Sequence, residues 1–133
     1  MNAKFADSNV LLYVASGNSR NAKIAEQLLE GQPTISVQVL NEIANVFVTK
    51  WKRSWTDALE FLNMVSATSA IVPLDEATHE LGLMVARRHK LHIYDSMIVA
   101  SALLAGCDTL YSEDMHHGLV VEDRLRIVNP FRA

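Results

Sequence analysis

Short apolar runs alternate along the chain with stretches whose apolar residues recur every three to four positions, and these two periods separate strand from helix. Lys4 to Asp7 reads as a first strand that ends on the acid. The next stretch, "SNVLLYVAS", reads as a turn or short helix, and Gly17 with Asn18 makes a polar break. From Ser19 the apolar positions Ala22, Ile24, Ala25, Leu28 and Leu29 recur at helical spacing until Gly31 and Pro33 stop the run. "PTIS" is a second strand. Ser36 is placed to cap the helix after it by accepting a backbone N–H bond, and Val37, Leu40, Ala44, Phe47, Val48 and Trp51 form that helix's apolar stripe. Glu42 is off the stripe but has Val39, Ile43 and Val46 as helical neighbours, so periodicity leaves its surroundings open.

A further helix begins near Ser54, where Asp57 completes a capping-box pattern, and carries Leu59, Phe61, Leu62 and Val65 inward. "AIVPL" reads as a third strand. Asp75 is a candidate cap for the helix bearing Leu81, Met84 and Val85, which runs into Arg87, Arg88, His89 and Lys90 where cations suit a helix C-terminus. The next helix opens at Asp95 and stops at Gly106. "TLYS" is a fourth strand and "RLRIVNPF" a fifth, terminated by Pro130.

Strands alternating with helices predict an α/β fold with a mostly parallel central sheet, about four to five strands, flanked by helices on both faces. The length of 133 residues, half of them apolar, predicts one domain spanning 1–133. Ligand sites in such sheets form at the carboxyl ends of the strands. Asp7 and Asp114 follow strand-like segments and Asp95 opens a helix, which brings three acids toward one rim. Each has a plainer role open to it: Asp95 as a helix cap, Asp7 and Asp114 as turn formers.

The net charge of −3, from 12 basic and 15 acidic residues, argues against a generally basic surface for nucleic acid, so any polyanion site must be local. Cys107 is the single cysteine and permits no internal disulfide. With no signal peptide and no apolar run long enough to span a bilayer, a reducing cytoplasm and no membrane partner are expected.

"FADSNVLLY", "LNEIANVF", "IYDSMIVASALLAGC" and "TLYSEDM" occur in the order and approximate spacing found in PIN-domain nucleases. Over nearly its whole length the chain resembles the VapC-type toxin members of that family. The four acids of the family pattern match Asp7, Glu42, Asp95 and Asp114. Glu113 is a register rival to Asp114, and Ser8 and Ser112 are short polar neighbours expected to support the site. The resemblance implies a single PIN-like domain, endoribonuclease activity as the toxin of a type II toxin-antitoxin system, RNA as substrate, and products with a 5′-phosphate and a 3′-hydroxyl. It also implies a cognate antitoxin whose C-terminal segment wraps the toxin; Phe47, Trp51, Trp55 and Phe61 are candidates for the apolar part of its groove, and equally for a homodimer interface or the core. A homodimer is expected.

Four carboxylates brought together repel, and some of them hold protons at neutral pH unless a cation neutralises them. Mg2+ is therefore expected, with Mn2+ as a substitute, because hard cations take oxygen ligands; no Cys/His spacing competes for zinc. Asp7, Asp95 and Asp114 are expected to contact the metal directly or through water, and Glu42 to act as ligand or base. Removing the four site acids from a net charge of −3 leaves +1 on the remainder, so RNA need not be repelled. Lys50, Lys52 and Arg53, and Arg87 to Lys90, can reach phosphates, although solvated helix ends are the plainer reading. Trp51 and Trp55 suit base stacking, a partner contact or the core, and His116 and His117 read as surface residues. A phosphoacceptor receiver domain would want paired acids after the first strand and a late lysine; Asp7 is followed by Ser8, and no lysine follows Lys90. A catalytically inactive PIN-like module that binds RNA or protein is the remaining alternative.

Overall fold

Phe5 and Ala6 are neighbours in sequence and both fully buried, the mark of a strand covered on both faces. They belong to β1 (Ala3–Ala6), the strand from which the sheet grows in both directions. A computed structural model of the chain describes residues 3–17 and 19–132. The break at Gly17 and Asn18 falls partly outside the described residues, while Gly17 itself ends a helical turn in the left-handed conformation.

The remaining strands are β2 (Thr34–Ser36), β3 (Ala70–Val72), β4 (Cys107–Tyr111), β5 (Val120–Val121) and β6 (Leu125–Val128). They form one sheet in the order β3-β2-β1-β4-β6-β5, parallel throughout except for β5, which runs antiparallel to β6. Among the described residues the sheet thus has six strands where four to five were expected. The additional strand is two residues long and exists only through its pairing with β6, so it carries no alternation to detect.

The helices are α1 (Ser8–Leu11), α2 (Tyr13–Ser16), α3 (Ser19–Glu30), α4 (Val37–Asn45), α5 (Trp55–Ala67), α6 (Glu76–His89) and α7 (Ile93–Leu104), with a π-helical turn at Val46–Lys50. Three of the predicted caps form. Ser36 Oγ accepts from Val39 N–H at 3.4 Å, Ser54 Oγ from Asp57 N–H at 3.1 Å, and Asp75 Oδ1 from Thr78 N–H at 3.0 Å. Each satisfies a backbone donor that the first helical turn leaves unpaired. Arg87, Arg88 and His89 occupy the last turn of α6, and Lys90 ends it in the left-handed conformation.

Four boundaries differ from the sequence reading. Helix α7 begins at Ile93, so Asp95 lies inside its first turn and does not cap it; the capping position is His92, which makes no side-chain cap bond. The helix read as continuous through Trp51 changes at Val46 into the π turn. The third strand stops at Val72, before Pro73, and the last stops at Val128.

The core is continuous across the sheet, with Phe5, Ile35, Leu110 and Ile127 from strands meeting Val39, Ile43 and Ile98 from helices. Eight consecutive residues of α7, Ser96 to Leu103, are buried. Phe47 is fully buried and stacks on Phe61 with ring centroids 5.0 Å apart. It therefore belongs to the core and is not free to line an open groove. Among the described residues no helix is long and apolar enough to cross a membrane.

Candidate active site

The chain builds β1, β2 and β3 outward on one side, then returns to place β4 on the other side of β1. The reversal of strand order falls between β1 and β4, and the crevice beyond their carboxyl ends is where parallel sheets hold ligands. Asp7 follows β1 immediately, its N–H bonded to Tyr111 O at 2.9 Å, and Ser112, Glu113 and Asp114 follow β4. Glu42 reaches the same crevice from α4 and Asp95 from the first turn of α7. All four acids predicted from sequence line one cavity of about 730 Å³.

Asp7 is 3% exposed and held by three donors. Its Oδ1 caps α1 by accepting from Ser8 N–H at 2.7 Å, with Ser8 Oγ 3.4 Å away; its Oδ2 accepts from Ser112 Oγ at 2.9 Å and Asn9 Nδ2 at 3.3 Å. The turn-forming role open to Asp7 is thus a helix-capping one, and it coexists with a place in the cavity. Burial pushes its pKa up to about 7, the neighbouring Glu42 pushes the same way, the Ser112 and Ser8 hydrogen bonds oppose, and Asp95 adds a smaller upward push. Asp95 is raised as well, by partial burial first; His92 opposes and Asp114 adds to the rise. The acids feel one another as like charges.

Both predicted serine supports make contact. Ser8 Oγ donates to Glu42 Oε1 at 2.7 Å, and Ser112 Oγ donates to Asp7. Glu113, the register rival, also lines the cavity, but its carboxylate is taken by Tyr13, whose hydroxyl lies 2.7 and 2.9 Å from its two oxygens. That bond raises the Tyr13 pKa, with burial and the Glu113 charge adding to it. His117 Nδ1 accepts from Asn129 N–H at 2.9 Å and His116 is exposed; neither lines the cavity.

Sequence reading missed Asn9, Tyr13 and the amide row Gln38, Asn41 and Asn45 as cavity residues. Asn9 ties the two strand ends together, since its Nδ2 reaches Asp7 and Ser112 while its Oδ1 accepts from Glu113 N–H at 3.0 Å. Its position two residues after Asp7 was the available signal, because a short amide at that spacing bonds locally. Gln38 donates to Glu42 Oε2 at 3.2 Å from one helical turn away, a pairing readable from i, i+4 spacing.

The donor set is all oxygen, with one carboxylate buried almost completely and no cation beside it in the bonding just described. Such a set fits a hard divalent ion, which keeps several waters and uses one or two carboxylates plus substrate oxygens. Among the described residues, no three His, Cys, Asp or Glu side chains are already gathered closely enough to cage an ion on their own.

The fold is similar to that of a chain in a toxin-antitoxin complex from Klebsiella pneumoniae, with a TM-score of 0.71 at 21% identity over 99% of this chain and 100% of that one. It is similar to VapC20 of Mycobacterium tuberculosis, a toxin that cleaves the sarcin-ricin loop, with a TM-score of 0.69 at 16% identity over 84% and 90% of the two chains. A chain of the DNA-bound VapBC complex from Salmonella typhimurium gives 0.70 at 15% identity over 96% and 97%. At these identities the likeness establishes the fold. None of the curated proteins matches the chain closely in sequence. The family model for the PIN domain matches residues 4–119, most of the length, and the chain belongs to the PIN domain family.

Proposed function

We propose that the chain is a divalent-metal-dependent endoribonuclease, one nuclease domain over residues 1–133, acting as the toxin of a type II toxin-antitoxin pair. The observation that carries this reading is the convergence of Asp7, Glu42, Asp95 and Asp114, from four separate elements, on one cavity where the strand order reverses. Asp7, Asp95 and Asp114 would hold Mg2+ or Mn2+, directly or through water, and Glu42 would act as ligand or base. When bound, the ion supplies charge neutralisation, a more acidic water and polarisation of the phosphodiester.

The chain's own residues prepare the site for this chemistry. Ser112, Ser8 and Asn9 fix both oxygens of Asp7, so its orientation is set before substrate arrives. Ser8 and Gln38 engage one oxygen each of Glu42, leaving further lone pairs for a water or an ion. Attack by water at phosphorus, with the P–O3′ bond breaking and the 3′-oxygen leaving, gives a 5′-phosphate and a 3′-hydroxyl.

The antitoxin half of the proposal is supported by the likeness to a chain of the toxin-antitoxin complex from Klebsiella pneumoniae and by an apolar surface on α5. Trp55 and Leu59, one turn apart on that helix, are 64% and 53% exposed. A homodimer and a cytoplasmic setting belong to the same proposal. The test is incubation of purified protein with single-stranded and structured RNA in magnesium, in manganese and in chelator. Cleavage with either ion and none with chelator is expected; cleavage that resists chelator overturns the metal role.

A further inference from the structure

Among the described residues, five carboxylates line the cavity, Asp7, Glu42, Asp95, Glu113 and Asp114, but one basic side chain does, Lys50. We infer that Lys50, carried onto the cavity wall by the π-helical turn, is the residue that binds an RNA phosphate flanking the scissile one. This inference rests on the ribonuclease reading above.

The register of the helix is the main argument. Gln38, Asn41, Glu42 and Asn45 stand at i, i+3, i+4 and i+7 of α4 and all line the cavity, so they form its polar stripe. An uninterrupted α-helix would continue that stripe through Thr49 and Lys52, at i+11 and i+14. Neither lines the cavity. Instead Trp51 N–H bonds to Val46 O at 2.8 Å, five residues back, and the wider π turn advances the stripe by one position to Lys50. Trp51 lines the cavity beside it.

The neighbouring cations are disposed differently. The Arg53 guanidinium lies over the rings of Phe47 and Trp51, 5.3 and 5.5 Å from their centroids, and Nη2 also donates to Ala15 O at 3.5 Å. Lys52 sits at positive φ beyond the turn, off the cavity wall. Lys50 is exposed and makes no ion pair among the described residues, although it shares a cavity with five acids. An ammonium in that position attracts a polyanion to a cavity that would otherwise repel it, and holds the strand while the reacting phosphate lies at the carboxylates.

The test uses full-length protein with Asp95→Asn as a cleavage-dead background. Binding of a fluorescein-labelled single-stranded RNA is followed by anisotropy across a potassium chloride series, for the background alone and with Lys50→Met, Lys50→Arg or Lys52→Met. Lys50→Met is expected to weaken binding by about threefold to tenfold and to reduce the slope of log affinity against log salt by about 0.7, the value of one single-strand phosphate contact. Lys50→Arg should keep the parent slope, and Lys52→Met should leave it unchanged. In the cleaving enzyme, Lys50→Met should raise KM more than it lowers kcat, as expected for a binding contact. If the parent cleaves RNA while Lys50→Met matches it in slope and KM, the inference is wrong and the nuclease reading stands. A larger effect from Lys52→Met also overturns it, as does a Lys50→Met defect confined to binding of a partner protein. If the unmodified protein neither binds nor cleaves any RNA, the nuclease reading falls and this inference with it.

Discussion

Ser8 Oγ and Glu42 Oε1 lie 2.7 Å apart, a bond between residues 34 positions apart that ties the start of α1 to α4. Ser8 also donates its backbone N–H to Asp7, so one serine fixes two of the four cavity acids. Ser8→Ala keeps the backbone bond and removes the hydroxyl. We expect this variant to lose about 1 kcal/mol of stability in urea denaturation, since Gln38 still serves Glu42. RNA cleavage should fall by about tenfold, equivalent to roughly 1.4 kcal/mol of barrier, through loss of Glu42 orientation. Unchanged cleavage would show that Glu42 needs no such positioning.

Asp7 titrates at about 7 in the folded protein against an ordinary 3.8, chiefly because it is buried. Folding therefore favours its protonated form. That stabilisation is complete below about pH 3.8 and disappears as pH rises through about 7. In chelator, Asp7→Asn has no such proton to lose. It should be more stable than the parent at pH 8, by on the order of 2 kcal/mol, and should match it more closely at pH 5. Thermal melts at the two pH values check this, and a variant less stable than the parent at pH 8 would contradict it.

Ser96 Oγ is buried beside Asp95 and has no hydrogen-bond partner among the described residues. Replacing a hydroxyl that has lost water without gaining a partner removes a penalty. Ser96→Ala should raise stability by about 0.5 to 1 kcal/mol and leave the cleavage rate unchanged. A loss of stability in denaturant melts would mean that the hydroxyl has a partner in solution.

Glu122 joins the turn between β5 and β6 to the end of α6, with Oε1 2.7 Å from Arg88 Nη1 and Oε2 2.8 Å from His89 Nε2. The His89 hydrogen bond is the largest of the influences that hold its carboxyl below the usual 4.5. This contribution is present above pH 4.5 and is lost as pH falls through the lowered folded value. Glu122→Gln should therefore lower the melting temperature at pH 6, and the gap to the parent should close in strongly acidic buffer. A gap that persists there would assign the effect to packing.

The sequence showed most clearly what is decided locally. Ser36, Ser54 and Asp75 cap helices through bonds that span three residues, and the apolar spacing after Ser19 needs no tertiary partner to be seen. Asp7, Glu42, Asp95 and Asp114 were identified by resemblance and then found on one cavity, though periodicity alone left Glu42 unplaced. A helix side that faces a polar cleft has the same pattern as one that faces solvent. The Tyr13 to Glu113 bond, spanning 100 positions, leaves no local trace. The π turn is hidden for a different reason: Val46, Phe47 and Val48 extend the apolar run whichever way the turn is wound.

The central claim is that the four acids hydrolyse RNA with a divalent ion. Its most direct measurement is mass spectrometry of the RNA ends produced by the protein and by Asp95→Asn, each in magnesium and in chelator. The account predicts 5′-phosphate and 3′-hydroxyl ends from the unmodified protein in magnesium alone, and a yield at least about a hundredfold lower from Asp95→Asn, which corresponds to about 2.7 kcal/mol of barrier. Cyclic 2′,3′-phosphate ends would contradict it, because they require attack by the RNA hydroxyl instead of water, and so would equal yields with and without Asp95.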